Sequence, residues 1–352
     1  MTRVVGIKDV AERAGVSITT VSHALNGKGR ISPQTRKHVN EIAEQLGYYP
    51  NTTARNLAGG RSGLIGLAVA QAGEGDFSVS DYAYFAALIS AASVAALDRG
   101  YALMLASAAQ IEAWQRIPID GAIIVDPVKR DPLMDHVQRT GTPLVTAGRV
   151  PGAKHGYWVD SDHRALTHAC LDHLAARGAQ RIALLESLPT TSYAIDSSAA
   201  YEEWCAANDR PMIAMATRSD LTESAGYEAT VKLLRRKRPP DAVHSTLYRL
   251  SLGAILAAQA VGLSVPHDLM VTGVADSEAC KWARPGLTTV ELHPERMGVE
   301  IVRILTALIE GRDPEPSQVY MPSHMVPRGS TKRRVLAGRA DRTTEAMSAR
   351  SA

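Results

Sequence analysis

Cysteine is scarce in this chain: Cys170, Cys205 and Cys280 are the only three among 352 residues. Three scattered thiols frame neither a disulfide-stapled domain nor a zinc knuckle. The eleven histidines do not cluster at metal-ligand spacing, and "HPERM" lacks a second ligand. No apolar run approaches the roughly 20 residues that a bilayer span requires, and the charged start has no apolar leader core. G-x-S-x-G, G-x-x-x-x-G-K and H-E-x-x-H are all missing, so nothing points to hydrolase, phosphate-loop or zinc-protease chemistry. These absences predict a cytoplasmic protein, not an enzyme, without metal or cofactor.

What is present is ordinary in bulk and uneven in placement. The chain is 45% hydrophobic and 21% charged, and its length suits two or three domains with separate cores. Residues 1–61 hold nine Lys/Arg against four Asp/Glu, residues 331–352 six against two, and the middle 24 against 30. A basic head on an acidic body suits a head that binds a polyanion.

The head has the periodicity of three short helices. Residues 7–14 place Val10, Ala11 and Ala14 on one side, and Gly15 breaks the run. Ser17 can cap a second helix, on which Val21, Ala24 and Leu25 share one face and Thr19, Ser22, His23 and Asn26 the other. Ser32 and Pro33 open a third helix, which buries Val39, Ile42, Ala43 and Leu46 before Gly47. This is a helix-turn-helix pattern. A face of short donors and acceptors is sized for base edges in a major groove, and Ser17, Thr20 and Ser22 can reach phosphates. Solvation alone would allow the same face.

Further on, "YYPNTTARNLAGGRSG" has a stop at Pro50 and a cap at Asn51. The segment 52–58 is too short for a stable helix in water without a partner; its one large apolar residue is Leu57, near Arg55. From residue 63, apolar runs such as "LIGLAV", "GAIIVD", "RIALLES" and "LMVTGV" alternate with amphipathic helical patterns. That alternation implies parallel sheets covered on both faces, in two lobes. The basic tail, 331–352, has no apolar period and is expected to be disordered, without a heptad helix for tetramers.

"IKDVAERAGVSITTVSHALNGKGRISPQTRKHVNEIAEQLGYYPNTTARNLAGGRS" resembles the head of the lactose-repressor (LacI/GalR) family, with every helix, turn and cap in place. "ITTVSH" and "VSHALN" look most like its purine-repressor branch. The resemblance implies that the second helix enters the major groove, with Ile18, Thr19 and His23 at base-reading positions. Ser22, Tyr48 and Asn51 fall near backbone-contacting ones. It also implies a hinge over 51–58 that folds on DNA and inserts Leu57 as a minor-groove wedge. Matches continue in "DGAIIVDP", "HLAARGAQRIALL" and "PGLTTVELHPERMG". They imply a core like that of periplasmic binding proteins, with a ligand cleft between lobes crossed near Asp162, Leu292 and Val319.

The resulting division is a head at 1–50, a hinge and linker at 51–62, a first lobe at 63–162 and 292–318, and a second lobe at 163–291 and 319–330. Cleft candidates are Tyr82, Tyr84, Phe85, Asp126 and Arg149, with Trp158, Asp160, Tyr193, Tyr248 and Asp276. Three polar anchors usual in sugar- and purine-binding members are replaced: Ser197 and Ser198 stand for an arginine, Leu247-Tyr248 for an Asn-Asp pair, and Ala275 for an aspartate. Each buried group left unpaired would cost about 1–3 kcal/mol. The effector is therefore not a simple sugar held in the usual way, or the cleft binds little. The whole reads as a transcriptional repressor that binds a pseudo-palindromic double-stranded DNA operator as a homodimer, controlled by a small-molecule effector. The alternative is a small-molecule binding protein of the same core fold with little regulatory DNA binding.

Overall fold

In a computed structural model, residues 5–25, 29–48, 61–70, 83–186, 190–217 and 221–332 are described. Contacts divide the chain into two units, Met1–Gly63 and Leu64–Ala352. The first is all-helical: α1 spans Ile7–Ala14, α2 Ile18–Leu25 and α3 Pro33–Gln45. Local chemistry sets each boundary. The Gly6 N–H donates to Asp9 Oδ2 at 2.7 Å, and Gly15 ends α1 in the left-handed region at φ 65°. Ser17 Oγ accepts from the Thr20 N–H at 3.1 Å, and Ser32 Oγ from the Thr35 N–H at 3.1 Å. Val10, Val21, Val39 and Ile42 meet small alanines in one core, with Leu46 only partly buried at its edge.

The second unit is a two-lobed α/β core. Its first lobe contains β1 Leu64–Val69, α4 Ala83–Leu97, β2 Ala102–Leu105, α5 Ile111–Arg116 and β3 Gly121–Val125. It continues through α6 Pro132–Arg139, β4 Leu144–Ala147 and β5 Trp158–Ser161. The second lobe holds α7 His163–Ala175, β6 Ile182–Glu186, α8 Ser192–Ala207 and β7 Ala214–Ala216. After these come α9 Glu223–Leu234, β8 Ala242–Ser245, α10 Tyr248–Ala260, β9 Met270–Thr272, α11 Glu278–Trp282 and β10 Thr289–Glu291. The chain closes with α12 Pro294–Ile309, β11 Gln318–Met321 and β12 His324–Val326.

The six-stranded sheet runs β11-β5-β4-β3-β1-β2 and the four-stranded sheet β7-β6-β8-β9, each parallel throughout. Strands such as β3, buried at every residue, are apolar without alternation because helices cover both faces. The chain leaves the first sheet at Asp162, whose carboxylate caps α7 by accepting from the Ala165 N–H at 3.0 Å. It returns to the first lobe through α12, which packs on α4. The last crossing comes later than 319. Gln318–Met321 still pairs in parallel with Trp158–Ser161, so the return to the second lobe follows Met321, where β12 pairs with β10.

Glycine seats the helices that carry the cleft. A Cβ on Gly253 would lie 2.0 Å from the Glu223 carbonyl oxygen, and one on Gly226 2.2 Å from that of Leu250. The two helices α9 and α10 therefore meet backbone to backbone, which fixes Tyr248 at the start of α10.

Candidate functional site

The head presents α2 with one face buried and one turned outward. Val21 and Ala24 enter the core, while Ser17, Ile18 and Thr19 are exposed and Thr20, Ser22 and His23 half-buried. Ile18 is 44% exposed. A branched aliphatic side chain beside Thr19 gives the face an apolar contact for a thymine methyl as well as donors and acceptors for base edges. The chain beyond α2 returns close to His23: a Cβ on Gly29 would stand 2.6 Å from His23 Nδ1. Tyr48 packs against the head's core and stays half-buried. Asn26, Asn51, Arg55 and Leu57, and with them the hinge over 51–58, lie outside the described residues, as does Tyr82.

In the core, a cavity of about 70 Å³ opens at the carboxyl ends of the parallel strands, where ligands of open α/β sheets bind. Tyr84 and Phe85 enter it from α4, their rings edge to face at 5.4 Å. Asp126 follows β3 directly, its backbone in the left-handed region at φ 50°, and its side chain lines the cavity. Asp160 comes from β5, Tyr193 from α8 and Tyr248 from α10. Six nominated residues thus meet in one cavity.

The other three nominated cleft residues do not line it. Trp158 lies edge to face with Tyr320, ring centroids 5.0 Å apart. Asp276 is consumed by structure: its two oxygens accept from Arg328 Nη1 at 2.7 Å and Nη2 at 2.6 Å, and Oδ1 also accepts from Thr289 Oγ1 at 2.7 Å. Burial pushes the Asp276 carboxyl up, but the Arg328 and Thr289 donors more than offset this and leave it below its ordinary value. Arg149 stands behind the wall. Its Nε donates to Asp160 Oδ2 at 3.3 Å and its Nη2 to Asp196 on α8, so it ties the first lobe to the second.

Asp160 is saturated. Oδ2 also accepts from the Arg149 N–H at 3.1 Å and from Ser192 Oγ at 3.4 Å, and Oδ1 from the Ser161 N–H at 2.7 Å. Asp126 is different: burial first, and Asp160 second, push its carboxyl up to about 7. Burial chiefly, with Asp126 and Asp160 adding, holds the Tyr84 phenol well above its ordinary value, and its hydroxyl donates to Met297 Sδ at 3.1 Å. Two polar lining residues were not singled out in the sequence. His163 sits with Nε2 3.8 Å from Asp160 Oδ1, and burial lowers its imidazole pKa. Thr246 is 3% exposed, and its Oγ1 has no hydrogen-bond partner among the described residues. The only sequence signal for Thr246 is its place just after a strand, at Leu247-Tyr248.

Residues 6–51 match the model of bacterial regulatory proteins of the lacI family, and residues 171–331 that of a periplasmic binding protein-like domain. The transcriptional regulator CelR of Thermobifida fusca is 30% identical over 332 residues, 91% of this chain and 96% of that one. Among solved structures, a lac repressor dimer bound to operator and the anti-inducer ONPF superposes with a TM-score of 0.78 at 27% identity, covering 94% of this chain and 99% of that one. A CelR–cellobiose complex gives 0.70 at 27% identity, covering 93% and 100%.

Proposed function

The chain belongs to the LacI family of bacterial regulatory proteins, and from that premise we propose that it represses transcription by binding an inverted-repeat operator as a homodimer. It is a DNA-binding transcriptional regulator with a small-molecule effector. The observation that carries the mechanism is the outward face of α2, where Ile18 and Thr19 are exposed while Val21 and Ala24 hold the helix on its core. Ile18, Thr19 and His23 read base edges, and Ser17, Thr20, Ser22 and Tyr48 contact the backbone. Asn26, Asn51, Arg55 and Leu57, outside the described residues, also contact DNA in this reading. On the strings "ITTVSH" and "VSHALN" we place the head near the purine-repressor branch. The protein works in the cytoplasm and has no catalytic activity of its own; among the described residues, no helix is long and apolar enough to cross a membrane.

The core supplies control. The cavity takes residues from both lobes, with Asp126 and Asp160 on the first and Tyr193, Thr246 and Tyr248 on the second. A ligand there prefers one lobe orientation and shifts the population by its differential affinity. Selecting genomic fragments with the purified protein across a salt series tests this. An inverted repeat retained at salt that strips random DNA is the expected result. No enrichment, with or without cleft ligands, overturns it.

A further inference from the structure

The polar groups that face the cavity share a bias. Among the described residues no lysine or arginine lines it, and the guanidinium of Arg149 is held by Asp160 and Asp196. His163, lowered by burial, is neutral at pH 7 and stands against Asp160. Among the described residues an anionic ligand finds no counter-charge here.

Neutral polyols fare little better. The Tyr84 hydroxyl is bound to Met297, the Tyr248 hydroxyl to Ser277, and Asp160 already accepts at both oxygens. A sugar with a hydroxyl on nearly every carbon would leave several unpaired. Two groups remain open to a ligand. The Asp126 carboxylate accepts no hydrogen bond from any described residue, and Thr246 Oγ1 is buried without a partner among them. Around them stand the aromatic rings of Tyr84, Phe85, Tyr193 and Tyr248, whose faces attract cations.

Resting on the regulator reading above, we propose that the effector is a small organic cation, a protonated amine on an apolar body, with its ammonium against Asp126 and its second polar atom at Thr246. Burial chiefly raises the Asp126 carboxyl and the Tyr84 phenol, and neighbouring carboxylates add to it; a cation seated against Asp126 offsets that carboxylate contribution. Among the described residues, no three His, Cys, Asp or Glu side chains stand close enough to hold a metal ion. The replaced anchors at Ser197, Ser198 and Ala275 agree with a departure from hydroxyl recognition.

The test uses the full-length protein in calorimetry with three probes of one shape, 2-phenylethylamine, 2-phenylethanol and phenylacetate. Butylamine and 1-butanol cover smaller bodies, and cellobiose the polyol case. An amine should bind about tenfold or more tighter than its alcohol, and the carboxylate more weakly than either. In Asp126→Asn that gap should shrink to about twofold, since asparagine keeps the shape and tolerates the left-handed backbone. Tyramine, which adds a phenol as second polar atom to 2-phenylethylamine, tests the Thr246 end: Thr246→Val should weaken tyramine more than 2-phenylethylamine while its melting midpoint shows the fold intact. Equal affinity for amine and alcohol, binding of cellobiose but not of amines, or no binding of any amine overturns the proposal. Operator binding, measured on the same preparation, separates the two readings. An operator-binding protein that ignores amines refutes only the cation proposal, and an amine binder that enriches no DNA refutes the regulator reading instead.

Discussion

Replacing Arg149 by methionine removes a guanidinium that spans the two lobes while keeping most of its apolar stem. Two charge-assisted bonds are lost, Nε to Asp160 and Nη2 to Asp196. The first loss is small, because Asp160 keeps the N–H groups at 149 and 161 and the Ser192 hydroxyl. The second is larger, since the Asp196 side chain is only 15% exposed. A charged hydrogen bond contributes about 1.5–3 kcal/mol, and the Arg149 side chain is 30% exposed, so solvent screening takes part of it. The coupling between 149 and 196 should be about 2 kcal/mol, or about thirtyfold in the balance between tied and parted lobes. A double-mutant cycle with Asp196→Asn, read by denaturant unfolding of the isolated variants, measures it. A coupling below about 0.5 kcal/mol would refute the reasoning and make the pair a screened surface contact.

Three further outcomes are expected. Asp276→Asn should lower stability by about 3 kcal/mol in thermal unfolding, because Arg328, 15% exposed at its side chain, loses its buried counter-charge; cleft affinities should stay within about twofold, and a larger loss would return Asp276 to the ligand site. Burial holds the His244 imidazole down at about 4. The unfolded chain therefore takes up a proton near pH 6.5 that the folded one refuses, and stability falls by about 3 kcal/mol between pH 6.5 and 4. His244→Asn should remove its share of that slope in pH-dependent melting, leaving the share of His173, also held at about 4; an unchanged slope would contradict the assignment. Gly253→Ala should cost about 3 kcal/mol or more, since its Cβ would lie 2.0 Å from a backbone oxygen, against about 1 kcal/mol for Gly311→Ala, whose Cβ meets nothing within 4 Å but whose φ is +74°; equal melting shifts would contradict the close approach of α9 and α10.

The head was legible from residues alone, because what makes it is local. Ser17, Ser32 and Gly15 fix helix ends within three or four residues of themselves, and Val39, Ile42 and Ala43 recur at helical spacing. The parallel strands were legible for a similar reason, since burial on both faces leaves apolar runs such as that of β3. Strands β5 and β11 were not: "WVDS" and "QVYM" are short and carry polar residues where the sheet meets its edge and the crossings.

Within the cleft, the sequence by itself named Tyr84, Phe85, Asp126, Asp160, Tyr193 and Tyr248, all of which the tertiary structure brings to one cavity. Only the tertiary structure decided what became of the charges. Arg149 meets Asp196 across 47 positions, Asp276 meets Arg328 across 52, and the Thr246 hydroxyl is left without a partner among the described residues. Spacing along a chain governs contacts within a helix or turn. Which carboxylate a guanidinium reaches, and which hydroxyl is left over, depends on how distant elements pack, and no local pattern encodes that distance.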